Sequence, residues 1–564
     1  MIHHVAKVLP LAVAGLLSAC TTYAEPEGSS LDIARVAPGE ISERTLKDVT
    51  RTLSSDEFEG RMPGTVGEEK TVAYLIDRFA KAGLQPGNNG SWTQDVPLVE
   101  ITGSDFSELR IGGPAADMRF APSKDYVAVT YREAPSIAIA DSELVFVGYG
   151  IVAPERGWND YAGIDMKGKT AIILVNDPDY ETEGLDGPFN GRAMTYYGRW
   201  TYKYEEAARQ GAAAALIVHD TFPAAYGWNV VESSWTGPQA FAQTDNGNMD
   251  ETMANGWVQK GVAEAIMKAA GTDLATLSAA AKTKGFKPVP LGLTASLGFR
   301  NDIRKYASQN VIAMLPGSER PDEVVMHTAH WDHLGRCTPD ATGDDICNGA
   351  VDNATGTAAL VALGEAHAKA GPADRSLVFL AVTAEEQGLL GAAYYAANPV
   401  FPLASTVGGV NMDAIRMYGP ARDITVVGGG KSELDRYVGT ALDMVGRRAT
   451  PESTPEKGFY YRSDHFEFAK RGVPMVYLKD GEDLLDGGVE AGKAKAAAYN
   501  DQAYHGPNDE YREDWPWGGF VDDVELYYLI GRMLAEGESW PNWLPGDEFR
   551  AIRDKSCAAS AGGC

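Results

Sequence analysis

The sequence predicts an α/β fold, in which a mostly parallel mixed sheet is covered on both faces by helices. Two observations in residues 299–545 support this prediction: short apolar runs recur, and amphipathic segments long enough to be helices separate them. Such alternation is typical of parallel strands joined by helical crossovers. The predicted strands are 309–314, 324–328, 376–383, 406–410, 424–427 and 475–478, and the predicted helices are 354–370, 385–397, 432–445 and 463–469.

The first residues of the chain have the pattern of an export signal. Lys7 precedes an apolar run at 8–17, and Leu-Ser-Ala-Cys follows at 17–20. Because a cysteine at this place resembles the bacterial lipobox, we expect a signal peptide at 1–19, acylation of Cys20 and a tether at 20–40. The expected product is an exported lipoprotein, anchored in the membrane and facing the periplasm or the cell exterior. Ordinary secretory cleavage, with Cys20 incidental, is the alternative.

Residues 41–105 are expected to begin the main domain. Helical periodicity appears at 44–53 and 66–82, and a strand-like alternation appears at 92–101. The segment 58–65 between the helices predicts a turn, with Thr65 capping the second helix.

Composition limits the classes of function. The chain has 564 residues, of which 44% are hydrophobic, which is enough for more than one domain. Its formal charge of −28 excludes nucleic acid as an expected partner, because phosphate groups would be repelled.

Histidine and carboxylate side chains follow the predicted strands. Open α/β sheets keep their sites beyond the carboxyl ends of strands, so we expect these side chains to meet. Nitrogen and oxygen ligands of this kind suit zinc, and cobalt or manganese would fit the same geometry. In the H-x-D arrangement, the second residue, Asp332, is expected to fix the ring of the first. The candidate metal ligands are His330, Asp352, Glu386, Asp413 and His505.

The order of these motifs resembles the di-zinc exopeptidases of clan MH, which include secreted bacterial aminopeptidases and relatives of glutamate carboxypeptidase and the transferrin receptor. The motifs are H-x-D at 330–332, G-A-V-D-N-A-T-G at 349–356, T-A-E-E-Q-G at 383–388, N-M-D at 411–413 and Y-H at 504–505. The resemblance implies two zinc ions per chain and the fold of that clan. It assigns His330 and Asp413 to one ion, Glu386 and His505 to the other, Asp352 to both, and the general base to Glu385.

Residues 106–298 resemble the protease-associated domain that some members of this clan insert into the peptidase. The likeness depends on three stretches: FVGYGI, DYAGIDMKGKTAIILVNDP and KYEEAARQGAAAALIV. We therefore expect an α+β insertion at 106–298, the main peptidase part at 299–545 and a C-terminal tail at 546–564. The expected role of the insertion is a wall of the substrate cleft or a surface for protein interaction.

Four cysteines remain once Cys20 is set aside, and they form two close pairs: Cys337 with Cys347, and Cys557 with Cys564. An even number in an exported chain predicts disulfides. Zinc binding by these sulfurs is the competing interpretation.

The expected activity is zinc-dependent removal of N-terminal residues from peptides, with Glu385 and Asp332 as the catalytic pair. Acidic residues near the ligands favour a substrate ammonium group. A carboxypeptidase would need a cationic clamp, and Arg416 and Arg462 are the arginines adjacent to site motifs. A carboxypeptidase, a glutaminyl-cyclase-like acyltransferase and a non-catalytic binding protein on the same fold are the alternatives.

Overall fold

The computed structural model describes Leu31, residues 35–114 and residues 116–559. The expected signal peptide, Cys20 and Cys564 lie outside the described residues. Among the described helices, none combines the length and the apolar character that crossing a bilayer requires.

Fourteen α-helices are present in the described part of the chain. They are α1 Glu43–Leu53, α2 Val66–Lys81, α3 Trp200–Arg209, α4 Thr221–Ala224, α5 Trp228–Ser234, α6 Lys260–Ala269, α7 Leu274–Ala281, α8 Gly356–Ala370, α9 Leu390–Ala397, α10 Leu434–Val445, α11 His465–Ala469, α12 Gly488–Gln502, α13 Trp517–Glu536 and α14 Arg550–Ala559.

The strands up to the middle of the chain are β1 Gln85–Pro86, β2 Thr93–Ser104, β3 Leu109–Gly113, β4 Ala116–Phe120, β5 Tyr126–Val129, β6 Ser136–Phe146, β7 Val152–Ala153, β8 Trp158–Asn159, β9 Thr170–Leu174, β10 Ala214–His219, β11 Pro238–Ala242 and β12 Ala254–Gln259. The later strands are β13 Val289–Leu315, β14 Arg320–His330, β15 Gly335–Arg336, β16 Ile346–Cys347, β17 Arg375–Val382, β18 Thr406–Asn411, β19 Asp423–Val427, β20 Arg448–Pro451 and β21 Met475–Lys479.

The centre of the large sheet is parallel. β14 pairs in parallel with β17 on one side and with β18 on the other, and β18 pairs in parallel with β21. Antiparallel partners, β13 beside β17 and β19 beside β21, complete a mixed sheet. β17 is buried at every position and α8 is buried along most of its length, as expected for a sheet covered on both faces. The predicted fold class is confirmed.

β13 extends through 27 residues and belongs to two regions of the sheet. Its first half pairs with β6 and β3, and its second half pairs with β2 and β17. The segment expected to be an insertion contributes the parallel strands β9, β10 and β12 together with their helices. The exact domain boundaries stay a prediction.

Two details of helix placement bear on the site. Thr65 caps α2 as expected, since its side chain accepts a hydrogen bond from the N–H of Gly67. The predicted helix at 385–397 was wrong at its start, because α9 begins only at Leu390. Residues 385–389 form a turn instead, with positive φ angles at Gly388 and Leu389.

Part of the expected C-terminal tail is the helix α14. Its Arg553 is buried and donates hydrogen bonds to the carbonyl oxygens of Thr406 and Val407 at the start of β18.

Candidate metal centre

Three neighbouring parallel strands bring the candidate ligands to one edge of the sheet. His330 is the last residue of β14, Glu385 and Glu386 follow β17, and Asp413 follows β18. Asp352 lies in the turn Ala350–Thr355 that leads into α8, and His505 follows α12. The structure therefore brings together all the candidate ligands that the sequence analysis named.

The carboxylate of Asp352 lies between the two histidines. Its Oδ1 is 3.3 Å from Nε2 of His330, and its Oδ2 is 3.3 Å from Nε2 of His505. Each histidine also faces another carboxylate: Nε2 of His330 is 3.4 Å from Oδ1 of Asp413, and Nε2 of His505 is 3.2 Å from Oε2 of Glu386. Two sets of donor atoms thus share Asp352.

The electrostatics of the cluster favour bound positive charge. Burial acts to lower the pKa of both histidines, but neighbouring carboxylates outweigh this effect. They raise the pKa of His330 well above its usual value and the pKa of His505 to about 11. Burial and the charge of Asp352 act to raise the pKa of Glu386. His505 and His333 outweigh both effects and lower this pKa to about 2. The carboxylates thus favour positive charge at both imidazoles. Metal cations would supply the same positive charge, so this donor set fits them.

Glu385 lies on the other side of His330 from Asp332. Its Oε2 is 3.9 Å from Nε2 of His330, and it groups with His330 and Asp413 at distances that would also allow metal binding. Burial raises the pKa of Glu385 well above its usual value, and the charges of Asp413 and Glu386 add to this effect. A carboxylate with a raised pKa beside a cation site is a candidate proton acceptor.

Asp332 positions the turn that carries both glutamates. Its carboxylate accepts the backbone N–H of Glu385 at 3.1 Å and that of Glu386 at 3.4 Å. Nδ1 of His330 is 3.7 Å from this carboxylate and 3.2 Å from the backbone carbonyl oxygen of Asp332. The positive φ angles at Gly388 and Leu389 interrupt helical geometry after this turn, which agrees with the late start of α9.

Three buried residues support the cluster besides its candidate ligands. Nδ1 of His333 is 2.6 Å from Oε1 of Glu386. The carboxylate of Asp509 accepts the backbone N–H groups of Val351 and Asp352, both at 3.0 Å. His333 directly follows the H-x-D motif at a strand end, which allowed either a supporting or a purely structural role, and its contact with Glu386 favours the supporting one.

Arg61 is the third of these residues. Its side chain is fully buried and donates to the carbonyl oxygens of Trp331, Leu53, Asn348 and Gly349. Trp331 and Gly349 flank the chain segments that carry His330 and Asp352, so Arg61 ties these segments together. Burial lowers the pKa of Arg61 to about 10, which leaves the guanidinium charged at neutral pH.

The loop between these segments is closed by a disulfide between Cys337 and Cys347, whose Cα atoms are 5.9 Å apart. Cys557 is disulfide-bonded as well. Its expected partner, Cys564, lies outside the described residues, so that pairing stays a prediction.

The two arginines next to site motifs differ in their surroundings. Arg416 faces Asp480, with Nη1 3.5 Å from Oδ2. Arg462 has a buried Nε without a hydrogen-bond partner, and no carboxylate of the described residues forms an ion pair with its guanidinium.

Comparison with known proteins confirms the resemblance of the main part of the chain. Residues 310–525 match Peptidase family M28. A probable zinc metalloprotease of Leptosphaeria maculans is 37% identical over 106 residues, which cover 19% of this chain and 24% of that protein. A probable zinc metalloprotease of Pyricularia oryzae is 36% identical over 106 residues, which cover 19% of this chain and 20% of that protein. The chain thus aligns with at most about a quarter of the length of these curated relatives.

Among solved structures, an aminopeptidase from Aneurinibacillus sp. strain AM-1 is similar to 89% of this chain over 95% of its own length, with 20% identity and a TM-score of 0.48. A zinc aminopeptidase from Bacillus subtilis is similar to 91% of this chain over 100% of its own length, with 16% identity and a TM-score of 0.42.

Proposed function

With residues 310–525 matching Peptidase family M28, we propose that this protein is a zinc-dependent exopeptidase that holds two metal ions. The observation that carries the proposal is the position of Asp352, whose two oxygens face two different histidines. One carboxylate shared between two nitrogen donors, each with a further carboxylate, is a ligand set for a pair of cations. The histidine and carboxylate donors favour zinc.

The proposed ligands of one ion are His330, Asp413 and Asp352, and those of the other are His505, Glu386 and Asp352. When bound, zinc would supply Lewis acidity toward the scissile carbonyl and lower the pKa of water. Oε2 of Glu385 lies farther from His330 than do the nearest oxygens of Asp352 and Asp413. We therefore assign Glu385 to the substrate side of the cluster.

Glu385 is the proposed general base. It accepts the proton of the attacking water and donates it to the leaving amine, which requires a carboxyl group able to carry a proton at the working pH. Its raised pKa, caused by burial and neighbouring carboxylates, supports this role. Asp332 acts through the backbone of the turn, because it holds the N–H groups of Glu385 and Glu386.

Cleavage at the N-terminus of the peptide is the proposed polarity. Two zinc ions would be balanced by the carboxylates of Asp352, Glu385, Glu386 and Asp413. The additional buried carboxyl group of Asp464 has both oxygens without a hydrogen-bond partner, and burial raises its pKa well above the usual value, so it places acceptor oxygens and no cation near the cluster. Such surroundings favour the ammonium group of a substrate, and Arg416 is already paired with Asp480.

A carboxypeptidase is the second candidate, and the unpaired guanidinium of Arg462 favours it. The deciding experiment offers the zinc-loaded protein one tripeptide in two blocked forms. Cleavage of the C-terminally amidated peptide, with rejection of the N-acetylated one, supports the aminopeptidase. The reverse pattern supports the carboxypeptidase. If neither these peptides nor a panel of aminoacyl amides is cleaved, the exopeptidase proposal is wrong.

Export as a lipoprotein belongs to the same proposal. The sequence at 17–20 supports acylation of Cys20, and the disulfide between Cys337 and Cys347 suits an oxidising compartment. Labelling with a fatty acid should mark the wild-type protein, and Cys20→Ala should abolish the label. Wild-type protein that stays unlabelled would contradict the proposal.

A further inference from the structure

Arg199 and Arg462 are half-buried arginines without a carboxylate partner among the described residues. The Nε atoms of both are buried without a hydrogen-bond partner. Within the described ranges, neither guanidinium forms an ion pair with a carboxylate. Arg375 is bound by Glu323 and three carbonyl oxygens, and Arg553, whose Nε also lacks a partner, still donates to two carbonyl oxygens. Among the described residues, Arg199 and Arg462 make neither a side-chain hydrogen bond nor an ion pair, and a charge partly removed from water without a partner is costly.

The two arginines come from distant parts of the chain and lie near each other. Arg199 precedes α3 in the segment resembling an insertion, and Arg462 precedes α11. Aromatic rings join these segments: the centroid of Tyr196 is 4.9 Å from that of Phe466. Burial, and after it the positive charge of Arg462, lower the pKa of Arg199 to about 9.

Arg462 lies next to the metal centre. The adjacent Ser463 accepts a hydrogen bond of 2.8 Å from the side chain of Asn411, at the end of the strand that leads to Asp413. Tyr504, whose charge acts on Arg462, stacks on the ring of His505 with centroids 3.9 Å apart. Burial lowers the pKa of Arg462, whereas Tyr226 and Tyr504 act to raise it.

Lys479 extends this positive region. Its Nζ is 3.7 Å from the centroid of the Phe459 ring, and the guanidinium carbon of Arg462 is 5.5 Å from the same centroid. Lys479 ends β21, the strand beside β18. A cation–π interaction with Phe459 partly explains why the charge of Arg462 is tolerated in this position. No described aromatic ring makes such a contact with Arg199.

We propose that Arg199 and Arg462 form an anion subsite, which binds a carboxylate of the peptide substrate beside the metal centre. The inference rests on the proposed peptidase function and adds the substrate class to it. Guanidinium groups bind carboxylates through paired, charge-assisted hydrogen bonds. The formal charge of −28 would repel a polyanion, so a polyanion is not the proposed ligand. A small peptide carries at most a few carboxylates into the cleft. The subsite also gives the segment containing Arg199 a role as one wall of that cleft.

The carboxylate has two possible sources in a peptide, its C-terminus and an acidic side chain, and matched substrates separate them. The first pair is Ala-Ala and Ala-Ala amide. The second is Glu-Ala amide and Gln-Ala amide, and the third is Ala-Glu amide and Ala-Gln amide. For at least one pair, we expect the zinc-loaded protein to prefer the charged member by about tenfold or more in kcat/KM, mainly through KM. The preferred pair identifies the source.

Substitution assigns the preference to the arginines. Arg462→Gln and Arg199→Gln should each lower the ratio of charged to uncharged substrate by about tenfold, and Arg462→Lys should restore part of it. Arg110→Gln is the matched control, because Arg110 is exposed and paired with Asp117. Metal content and the melting temperature are measured for each variant, to exclude loss through misfolding.

Binding to the Glu385→Gln protein separates this proposal from the proposed function. Calorimetry with the same pairs, in the presence of zinc, reports recognition even if no peptide is cleaved. Tighter binding of one charged member, lost in Glu385→Gln/Arg462→Gln, supports the subsite. Equal binding and equal hydrolysis within all three pairs would overturn it, and so would a preference that survives both arginine substitutions.

Discussion

Nδ1 of His333 lies 2.6 Å from Oε1 of Glu386, while the other oxygen of that carboxylate faces His505 at 3.2 Å. His333 therefore fixes the rotation of a proposed metal ligand, and it occupies the oxygen that does not face the cluster. Outer hydrogen bonds of this kind often decide how firmly a metal is held.

His333→Ala should weaken the binding of one metal ion by about 10–100-fold and leave the other ion in place. The reason is that Glu386 loses its orienting partner but stays in the chain. Titration with a competing chelator, read by metal analysis, measures this effect. His219→Ala serves as the control, because His219 lies in β10, outside the cluster. Unchanged affinity for both ions would show that His333 is only a packing residue.

Glu385→Gln should keep both metal ions and lower kcat by about 10²–10⁴-fold, since an amide cannot accept the proton of water. Glu386→Ala should instead remove one ion, because it deletes a ligand. Metal analysis and steady-state kinetics on the same preparations distinguish the two effects. Near-normal turnover by metal-loaded Glu385→Gln would refute the assignment of the base.

Arg61→Met should destabilise the protein by about 3–5 kcal/mol, because several buried carbonyl oxygens lose a charged donor. Arg61→Lys should recover only part of this loss, as a single ammonium group cannot reach the oxygens of Trp331, Leu53 and Gly349 together. Denaturant unfolding, followed by fluorescence, gives the free energies. The idea fails if Arg61→Met unfolds at the wild-type denaturant concentration.

Replacing both Cys337 and Cys347 with serine should lower the free energy of unfolding by about 2–3 kcal/mol in the chain-entropy model. The loop they close connects the segments of His330 and Asp352, so we also expect weaker metal binding. Peptide mapping of the exported protein tests the bond itself. Free thiols at both positions, or a bond from either to Cys557, would contradict the structure.

The parts of the site that the sequence made predictable are those linked to local pattern. His330, Glu386 and Asp413 follow strands, and the carboxyl ends of adjacent parallel strands meet at one edge. Asp352 and His505 lie in loop motifs that also supplied candidate ligands, and the resemblance to a known clan assigned them their metal ions. Their convergence in the structure agrees with that expectation, while their binding of metal stays a prediction.

What the sequence left unpredicted depends on contacts between distant segments. Arg61 and Asp509 act on backbone groups of loops far away in the chain, and no periodicity records such contacts. The helix α12 was missed for a different reason: among its residues only Gly492 is buried, so it lacks the apolar stripe by which helices are recognised. The neighbourhood of Arg199 and Arg462 likewise arises only from tertiary packing.

The continuity of β13 determines how this protein can be dissected. A single uninterrupted strand starts beside β6 and finishes beside β17, so the backbone that frames the metal centre is the same backbone that holds the neighbouring strands. A shortened protein lacking residues 106–298 would lose part of this strand and expose unpaired edges elsewhere, and unpaired edges promote aggregation. Attempts to produce the metal-bearing part alone should therefore yield insoluble material. Replacing residues 106–298 by another domain, in the laboratory or in evolution, would require new pairing partners for the cut strand.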